Sequence, residues 1–504
     1  MTTPDSDAFG RVLEAGYARL PERFYARVRP TPVVGPRLLA WNEALAAELG
    51  LRTDALDPRA LAELVTGNAL PAGAEAIATV YAGHQFGQFV PQLGDGRAIL
   101  LGELRDRAGR PREIQLKGSG PTPFSRAGDG RAALGPVLRE YLVSEAMHAL
   151  GIPSTRTLAA AATGESVLRE RALPGAVLAR VASTHVRVGT FEYFAARNDR
   201  AALDALCGHV LHRLYPHLVD SPRPALGLLE TLIERQAGLV AQWMAVGFVH
   251  GVMNTDNTSV AGETIDYGPC AFLDAYDPAT VFSSIDRFGR YAYANQPHAA
   301  HWNLARFAET LLPLIDPDVQ RAADLANQAL ARFESLFETR RLALWRRKLG
   351  LAVPLEGDAE LAGDWLALLA ANGADFTVAF RSLARALPER AADAAAAPGI
   401  HPGDLLADAG AFDPWMRRWH ARLALEPTTA VARAQAMDLV NPALIPRNHR
   451  IEQAIVAAES GDFSQFTALA RSLARPFAEP SGPFADLALP PQPQERVRRT
   501  FCGT

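Results

Sequence analysis

The chain has 504 residues, 48% of them hydrophobic and 21% charged, and its formal net charge at pH 7 is -4. This composition is ordinary for a globular protein of two or three structural units. The weak negative charge argues against a nucleic-acid-binding protein, which usually carries a clustered basic excess. The N-terminal segment contains neither an apolar core nor a basic leader, and no apolar run is long enough to span a bilayer. We therefore expect a cytoplasmic protein that binds neither membranes nor nucleic acid.

Neither the basic run nor the cysteines of the sequence indicate a ligand site. The densest basic run, residues 340–348, lies on a helical pattern with leucines and a tryptophan. Such a run usually forms the solvated face of a helix, and we predict one here. The three cysteines, Cys207, Cys270 and Cys502, show no CxxC spacing, which argues against a zinc site and a disulfide framework.

The first clear structural signal in chain order is a β-hairpin. From Arg97 the segment RAILLGELRD is apolar and extended, a turn follows at residues 106–110, and REIQLKG then alternates polar and apolar residues. In the second strand Ile114 and Leu116 share one face, whereas Lys117 lies on the polar face. The pattern therefore predicts a hairpin that presents Lys117 among polar neighbours.

The later part of the chain is predicted to be increasingly helical. Apolar residues at helical spacing predict helices over about 132–150 and 226–246, with an extended segment near residues 177–181 between them. From about Trp302 onward the sequence is mainly helical. The alanine-rich segment 386–403 ends in Pro and Gly, so it is either a boundary or a surface helix-turn.

The segment HGVMNTDNTSVAGETIDYGP, residues 250–269, gathers His, Asn and Asp side chains in one short stretch of an otherwise apolar chain. We predict a polar loop here, followed by a pair of strands. Standard catalytic signatures are missing, since the sequence has no HExxH motif, no GxSxG elbow and no Gly-Lys pair of a Walker loop. Any chemistry therefore depends on how this loop combines with other polar residues.

The order of those polar residues along the chain is that of a protein kinase. A glycine turn at residues 94–97 comes first, and the strand residue Lys117 follows it. A helix then carries Glu140 and Glu145, either of which could pair with the lysine. The polar loop of residues 250–269 comes last. A strand lysine paired with a helix carboxylate is positioned to neutralise phosphate charge.

The polar loop also has the spacing of a kinase catalytic loop. The metal-binding Asn of a kinase lies seven positions after the loop His, and Asn257 lies seven positions after His250. Asp266, in Asp266-Tyr267-Gly268, stands where kinases have the Asp of DFG. Amide and carboxylate oxygens are hard donors suited to Mg²⁺ held against nucleotide phosphates. We interpret His250 as a structural loop residue.

The catalytic base is where the sequence departs from a kinase. A kinase has this Asp two positions after the loop His, and that position is Val252, which cannot accept a proton. Asp256, beside the metal-binding Asn, is the nearest carboxylate that could replace it. The glycine turn also carries Arg97 where kinases have small or apolar residues. The protein is therefore either catalytically inactive or uses the same parts for different chemistry.

Five long motifs resemble those of the SelO family. They are YAGHQFGQFVPQLGDGRAILLGE, QLKGSGPTPFSRAGDGRAALGPVLREYLVSEAM, HGVMNTDNTSV, TIDYGPCAFLD and NPALIPRNHRIEQAI, and the resemblance extends from about residue 30 to the C-terminus. The family is regarded as having a protein-kinase-like fold that binds ATP in a flipped orientation. It transfers AMP, rather than the γ-phosphoryl group, to protein hydroxyls.

The resemblance implies an α+β fold with two lobes, as in protein kinases. We expect a β-rich, nucleotide-binding N-lobe over residues 1–185 and a helical C-lobe with the catalytic and metal loops over residues 186–385. A helical extension that carries the tail cysteine would occupy residues 386–504.

The resemblance also implies roles for the polar residues. Lys117, with Glu140 as its ion-pair partner, would hold phosphates, and Asp256 would be the general base. Asn257 and Asp266 would bind Mg²⁺ or Mn²⁺. Departing pyrophosphate gains negative charge, so several fixed cations at that end would lower the barrier. The nucleotide-binding set would be Gly94, Gly96, Arg97, Lys117, Asp129, Gly130, Arg180, Arg187 and Asp266.

The tail cysteine suggests redox control. Members of the family commonly have a selenocysteine or cysteine three residues from the C-terminus, and Cys502 matches that position. Some bacterial members pair this residue with a cysteine just after the DYG-type motif, where Cys270 stands. Because cytosolic disulfides are usually transient and regulatory, the resemblance implies a redox disulfide between Cys270 and Cys502. His84 and Gln85 belong to the first motif, and the sequence indicates no role for them.

Three functions are compatible with the sequence. The leading one is a protein adenylyltransferase that uses ATP, with uridylyl transfer from UTP as an additional option, to modify Ser, Thr or Tyr hydroxyls of protein substrates. The second is a phosphotransferase, against which Val252 argues. The third is an inactive nucleotide-binding scaffold, against which the pair Asn257 and Asp266 argues, because a scaffold does not need metal ligands.

Overall fold

The computed structural model of the chain describes residues 11–51, 57–387 and 400–501. In these ranges the main sheet ends at Ala182, and long helices make up most of the chain from Val188 onward. The chain is therefore mixed α+β, as the sequence predicts. None of the helices in the described ranges is both long and apolar enough to cross a membrane.

Eight of the ten strands described up to Ala182 form one antiparallel sheet. The sheet order is β1-β3-β6-β7-β10-β9-β2, with β8 paired to β10. Two short pairs lie outside it, β4 with β5 and β11 with β12. The strands are β1 (Tyr25–Arg27), β2 (Arg37–Trp41), β3 (Ile77–Thr79), β4 (Gly83–Gln85), β5 (Gln88–Val90), β6 (Ala98–Arg105), β7 (Pro111–Lys117), β8 (Ala132–Ala133), β9 (Arg156–Leu168), β10 (Ala172–Ala182), β11 (Phe248–Val249) and β12 (Ala271–Phe272).

The hairpin predicted around Lys117 is confirmed as β6 and β7, in which Ala98 pairs with Lys117. The predicted polar face of β7 is not solvated, however. Gln115 is 0% exposed and Glu113 is 1% exposed, because this face is covered by other polar side chains of the protein. The alternation of β7 thus separates a face that packs in the apolar core from a face that contacts buried polar side chains.

Fifteen α-helices are described. They are α1 (Glu43–Leu49), α2 (Pro58–Thr66), α3 (Leu134–Ala149), α4 (Val188–Ala195), α5 (Arg200–Leu214), α6 (Pro224–Ala245), α7 (Gln296–Ile315), α8 (Val319–Leu330), α9 (Phe333–Lys348), α10 (Asp358–Asn372), α11 (Phe376–Ser382), α12 (Ala409–Leu423), α13 (Ala430–Asp438), α14 (Asn448–Glu459) and α15 (Ser464–Leu473). The helices predicted over 132–150 and 226–246 are α3 and α6. The first begins two residues late because Ala132–Ala133 pairs with β10 as a strand.

The sheet lies between two apolar cores. The helices α1 and α2 pack on one face, where a smaller core contains Leu61, Val65 and Ile114. The helix α3 packs on the other face, where Leu138 and Leu142 join a larger core that continues through the helical part of the chain. The polar motifs meet between α3 and the helical part of the chain.

Two local predictions are wrong. The strand pair does not follow the polar loop; β11 precedes residues 250–269 and β12 follows them, so the loop is closed at its base by antiparallel pairing. The basic run is not wholly solvated either, because Lys348, at the end of α9, is 3% exposed and lies 4.3 Å from the ring centre of Phe380. Its helical position turns it inward, away from the exposed Arg347.

The C-terminal helices pack back onto the first half of the chain. Both α14 and α15 contact α3. Arg139 of α3 donates to Asn448 at 2.9 Å and to Glu452 at 2.7 Å. Most of the alanine-rich segment, residues 388–399, lies outside the described ranges. The division at residues 185 and 385 stays a prediction.

Candidate functional site

One cavity of about 980 Å³ lies between the sheet, α3 and the polar loop. Every nucleotide-binding, metal and catalytic residue predicted from the sequence lines it, although these residues come from segments spread over the chain. They are Gly94, Gly96, Arg97, Lys117, Asp129, Gly130, Glu140, Arg180, Arg187, Asp256, Asn257 and Asp266. The cavity is therefore the candidate active site.

Asp266 is the centre of the charged cluster in this cavity. Arg187 donates to it at 2.6 Å, Arg180 at 2.7 Å and Lys117 at 3.0 Å. Burial alone would raise the pKa of Asp266, but the three cations outweigh burial and hold that pKa well below its ordinary value. The backbone of Asp266 is left-handed, with φ of 64°, a conformation that few non-glycine residues adopt. The residue is thus kept ionised in a specialised turn.

Of the two candidate glutamates on α3, only Glu140 contacts the charged cluster. Glu140 lies 2.6 Å from Lys117 and 3.3 Å from Arg180. Glu145, the other candidate partner of the lysine, instead accepts from Arg156 at 2.7 Å and from Asn42 at 2.6 Å. The two glutamates point to different partners because five positions along a helix turn the side chain to another face.

The arginines of the cluster are buried and connect its parts. Arg180, on β10, is 1% exposed, and it also donates to Gln115 of β7 at 2.5 Å. Arg187, just before α4, donates to the backbone oxygen of Asp256 at 2.8 Å as well as to Asp266. Because Arg187 joins the two acidic positions of the loop, it couples the geometry of one to the other.

The turn at residues 94–97 needs glycine because residues 122–125 pack directly against it. Gly94 has φ of 110°, and a Cβ there would lie 2.6 Å from the ring of Phe124. A Cβ on Gly96 would lie 3.0 Å from the backbone oxygen of Phe124. Thr122 donates to the backbone oxygen of Asp95 at 2.7 Å, which fastens this segment to the turn. Gly94 therefore allows close approach of the Phe124 ring and Gly96 that of the Phe124 backbone, and Arg97 follows them on the cavity wall.

Asp129 and Gly130 lie at the rim of the cavity. Asp129 is exposed and is paired with Arg169 at 2.9 Å. Gly130 has φ of 66° and its Cα lies against the backbone of Gly120, so only glycine fits. These two residues belong to the cavity wall but not to the buried cluster around Asp266.

Asp256 differs from Asp266 in its surroundings. It sits in a 3₁₀ turn, Thr255–Asn257, and is 7% exposed. Its Oδ2 accepts from Gln85 at 3.3 Å, whereas its Oδ1 has no hydrogen-bond partner among the described residues. Burial, opposed by Arg187 and Gln85, raises the pKa of Asp256 to about 6. An unsatisfied, buried carboxylate oxygen is costly, and a ligand would restore the missing interaction.

The donors at the loop suit a divalent cation that is shared with phosphates. Asn257 donates through Nδ2 to the backbone oxygen of Val252 at 3.0 Å, a bond that does not use its Oδ1. In the described ranges no three His, Cys, Asp or Glu side chains gather as a metal site. Mg²⁺ usually takes one or two protein oxygens and completes its shell with water and substrate phosphates. The pair Asn257 and Asp266, with the unsatisfied oxygen of Asp256 nearby in the chain, fits that requirement.

The hairpin β4–β5 is the part of the site that the sequence did not assign. His84 lies 2.5 Å from Glu192 of α4, and its backbone NH donates to Thr255 at 2.7 Å. Gln85 contacts Asp256. The partners of His84 and Gln85 are more than 100 residues away in sequence, so only the conspicuous YAGHQFGQF motif could have marked these residues.

The remaining predicted residues lie behind the loop. His250 is buried, and its Nε2 lies 3.0 Å from the backbone oxygen of Ile265, which agrees with a structural role. Cys270 is 0% exposed. Thr500 donates through its hydroxyl to the backbone oxygen of Pro269 at 2.5 Å, so the tail runs beside the loop. Cys502 lies outside the described residues, and its pairing with Cys270 stays a prediction.

Comparisons with known proteins agree on one family. The family model described as protein adenylyltransferase SelO matches residues 11–474. The protein nucleotidyltransferase YdiU of Rhizobium etli is 58% identical to the chain over 97% of it and 96% of the relative. The proteins of the same name from Bradyrhizobium diazoefficiens and Methylorubrum populi are 56% and 57% identical, each over 97% of this chain and 98% of the relative.

Proposed function

The chain belongs to the SelO family of protein adenylyltransferases, and we propose that it transfers AMP from ATP to Ser, Thr or Tyr hydroxyls of other proteins. The observation that carries the proposal is the charge arrangement of the cavity. Two buried arginines, Arg180 and Arg187, and the partly buried Lys117 converge on Asp266. A separate carboxylate, Asp256, lies in the same cavity outside this cluster. The first group suits a polyphosphate, and the second suits a base.

The cation cluster favours a nucleotide that enters with its triphosphate innermost. AMP transfer breaks the bond between the α-phosphorus and the bridging oxygen, and the electron pair of that bond leaves with pyrophosphate. Lys117, Arg180 and Arg187 would stabilise the charge that develops there. Such an orientation leaves the α-phosphorus facing the acceptor, which is the flipped arrangement that the resemblance implies.

Asp256 would act on the acceptor. As the hydroxyl oxygen attacks the α-phosphorus, its proton would pass to the carboxylate of Asp256. A base works best with a pKa near the operating pH, and burial raises the pKa of Asp256 to about 6, so it is largely ionised at pH 7. Val252, at the position of the kinase base, lines the cavity without any group that could take the proton.

Mg²⁺ or Mn²⁺ would be held by Asn257 and Asp266. A divalent cation there supplies charge neutralisation on the phosphates of ATP. We further propose that the sheet and the helical part correspond to the two lobes of a protein-kinase-like fold. Support comes from the order of the glycine turn, Lys117, Glu140, Asn257 and Asp266 along the chain, since all of them line one cavity.

A redox disulfide between Cys270 and Cys502 is a separate proposal. The hydrogen bond of Thr500 to Pro269 supports it, because the tail then passes next to Cys270 two residues before Cys502. Peptide mapping by mass spectrometry without reduction should recover a peptide pair that contains both cysteines. Recovery of both only as thiols after mild oxidation would contradict the pairing.

Labelled nucleotide tests the function directly. The protein is incubated with Mg²⁺ or Mn²⁺ and with ATP labelled at either the α- or the γ-phosphate, and label on protein is measured. We expect label from the α position only. Asp256→Ala should lower the transfer rate by roughly 10²–10⁴-fold, as for loss of a general base, while nucleotide still binds.

The same experiment separates the competing functions. Label from the γ position alone would make the protein a phosphotransferase. Nucleotide binding without any label would make it a scaffold. Transfer of AMP by Asp256→Ala at the wild-type rate would show that Asp256 is not the base.

A further inference from the structure

The hairpin β4–β5 is fastened to the turn that carries Asp256 at each of three consecutive residues. The backbone NH of His84 donates to Thr255 at 2.7 Å, the side chain of Gln85 to Asp256 at 3.3 Å, and the backbone NH of Phe86 to Asn254 at 3.0 Å. The hairpin and the turn are more than 160 residues apart in sequence, so this contact is built by the tertiary fold.

A second layer holds the same contact from behind. Glu192 of α4 accepts from Thr255 at 2.5 Å and lies 2.5 Å from His84, so one buried carboxylate joins the hairpin to the turn. The ring of His84 also packs against Trp302 with 5.1 Å between ring centres. The tip of the hairpin is thus held rigidly against the loop.

The carboxylate of Asp256 is enclosed by this hairpin on two sides. A Cβ on Gly83 would lie 2.6 Å from Oδ1, so the glycine backbone lies directly against that oxygen. The amide of Gln85 donates to Oδ2. Gln85 is also on the cavity wall, whereas its cross-strand partner Gln88 is exposed and lies outside the cavity.

We propose that Gln85 is a positioning residue for AMP transfer, which sets the rotamer of the Asp256 carboxylate toward the acceptor hydroxyl. The inference rests on the proposed role of Asp256. Without the amide, no hydrogen bond to the described residues fixes either carboxylate oxygen, so only packing against Gly83 limits rotation about χ2. A base must lie within hydrogen-bond reach of the proton it takes, so such rotation lowers the rate without weakening nucleotide binding.

The activity test replaces the amide by an apolar group of similar length. Gln85→Met removes the donor, and Gln88→Met makes the same change at the exposed partner position on the hairpin. We expect Gln85→Met to lower kcat for AMP transfer by about 10- to 100-fold, the size typical of a misplaced catalytic group. The Kd for ATP should change by less than about twofold, because the phosphate-binding cations are untouched. Gln88→Met should behave as wild type.

A stability test measures the contact without any activity. Gln85→Glu places a carboxylate against Asp256, so its thermal midpoint should fall in the wild-type background. In an Asp256→Asn background the fall should disappear, because the new amide can donate to Glu at position 85. Gln88→Glu should show no such dependence on residue 256.

Two results for Gln85→Met would overturn the proposal. One is a wild-type kcat, and the other is a loss of kcat together with a loss of ATP affinity. If wild-type protein transfers no AMP, the proposed function fails, and the stability test alone decides whether Gln85 holds Asp256. If the fall in thermal midpoint caused by Gln85→Glu depends on the residue at position 256, the contact between Gln85 and Asp256 is supported. If the fall is the same in both backgrounds, the contact is not supported.

Discussion

Asp256 and Asp266 share one cavity but have opposite electrostatic surroundings. Asp266 faces three cations within 3.0 Å, and its pKa is held well below the ordinary value despite burial. Asp256 has one amide donor on its carboxylate, and burial raises its pKa to about 6. Two carboxylates whose pKa values are shifted in opposite directions suit different roles, one as a fixed anion and one as a proton acceptor.

Lys348 gives a pH-dependent prediction at the residue scale. Burial lowers the pKa of Lys348 to about 7, and it has no ion pair among the described residues. Contacts with the faces of Phe376 and Phe380 favour the charged form and offset part of this effect. Lys348→Met should therefore stabilise the protein at pH 6 by about 2–4 kcal/mol.

The gain should shrink as the pH rises. The folded-state pKa of Lys348 lies below the unfolded value, so the unfolded chain binds more protons between them, and wild-type stability recovers between about pH 7 and pH 10.5. Urea denaturation at pH 6 and pH 9 should give gains that differ by about 2 kcal/mol. Arg347→Met, which removes an exposed charge one residue earlier, should show no such difference. An equal gain at both pH values would contradict the burial argument.

Spacing in the sequence predicted several residues that line the cavity in a fixed order along the chain. Lys117, Asn257 and Asp266 follow one another as in a kinase, and Asp256 is the carboxylate beside the proposed metal ligand Asn257. Gln85 and Glu192 could not be found this way, because each acts through a partner brought close only by the tertiary fold. Nothing in a single sequence marks such contacts except an unusual local motif.

At the scale of elements, α3 places two glutamates in different environments and so offers a matched pair. Glu140→Gln removes the carboxylate that contacts Lys117 and Arg180. Loss of this ordering should lower AMP transfer by about 10- to 100-fold. Glu145→Gln changes contacts with Arg156, Asn42 and the backbone NH of Thr157, which lie outside the cluster, so it should lower the thermal midpoint and leave the transfer rate within about twofold of wild type. Equal loss of transfer in both variants would contradict the assignment of Glu140.

The helices and the central hairpin follow from periodicity, but two features of these elements do not. The polar face of β7 reads as solvent-facing because Glu113 and Gln115 are polar, yet it is buried, since Arg180 and His185 satisfy these groups. Lys348 reads as part of a solvated basic face, yet its position on α9 turns it into an aromatic pocket. In both cases alternation or charge defines a face, and only the tertiary fold decides what covers it.

At the scale of the whole molecule, the C-terminal helices are joined to the segment after β12 and to the start of α11. Arg447, just before α14, is 1% exposed and donates to Asp375 at 2.8 Å and to Asp274 at 2.7 Å. Arg447→Met would leave two acids without their cation, and should cost about 3–5 kcal/mol of the free energy of unfolding.

The control is an exposed ion pair in the same half of the chain. Arg418 lies 2.6 Å from Asp364, and both side chains are more than 40% exposed. Arg418→Met should change the free energy of unfolding by less than about 1 kcal/mol. Chemical denaturation of both variants measures the difference. Similar small effects in the two would mean that Arg447 does not hold the C-terminal segment in place.

The central claim is that the cation cluster receives the terminal phosphates of ATP and leaves the α-phosphorus facing the acceptor. A crystal structure with Mn²⁺ and an ATP analogue that resists cleavage between the α- and β-phosphates tests it most directly. We predict that the γ-phosphate lies within ion-pair distance of Lys117, Arg180 and Arg187, with the α-phosphorus nearest to Asp256. Adenine packed among those three cations, with the γ-phosphate at the mouth of the cavity, would contradict the account.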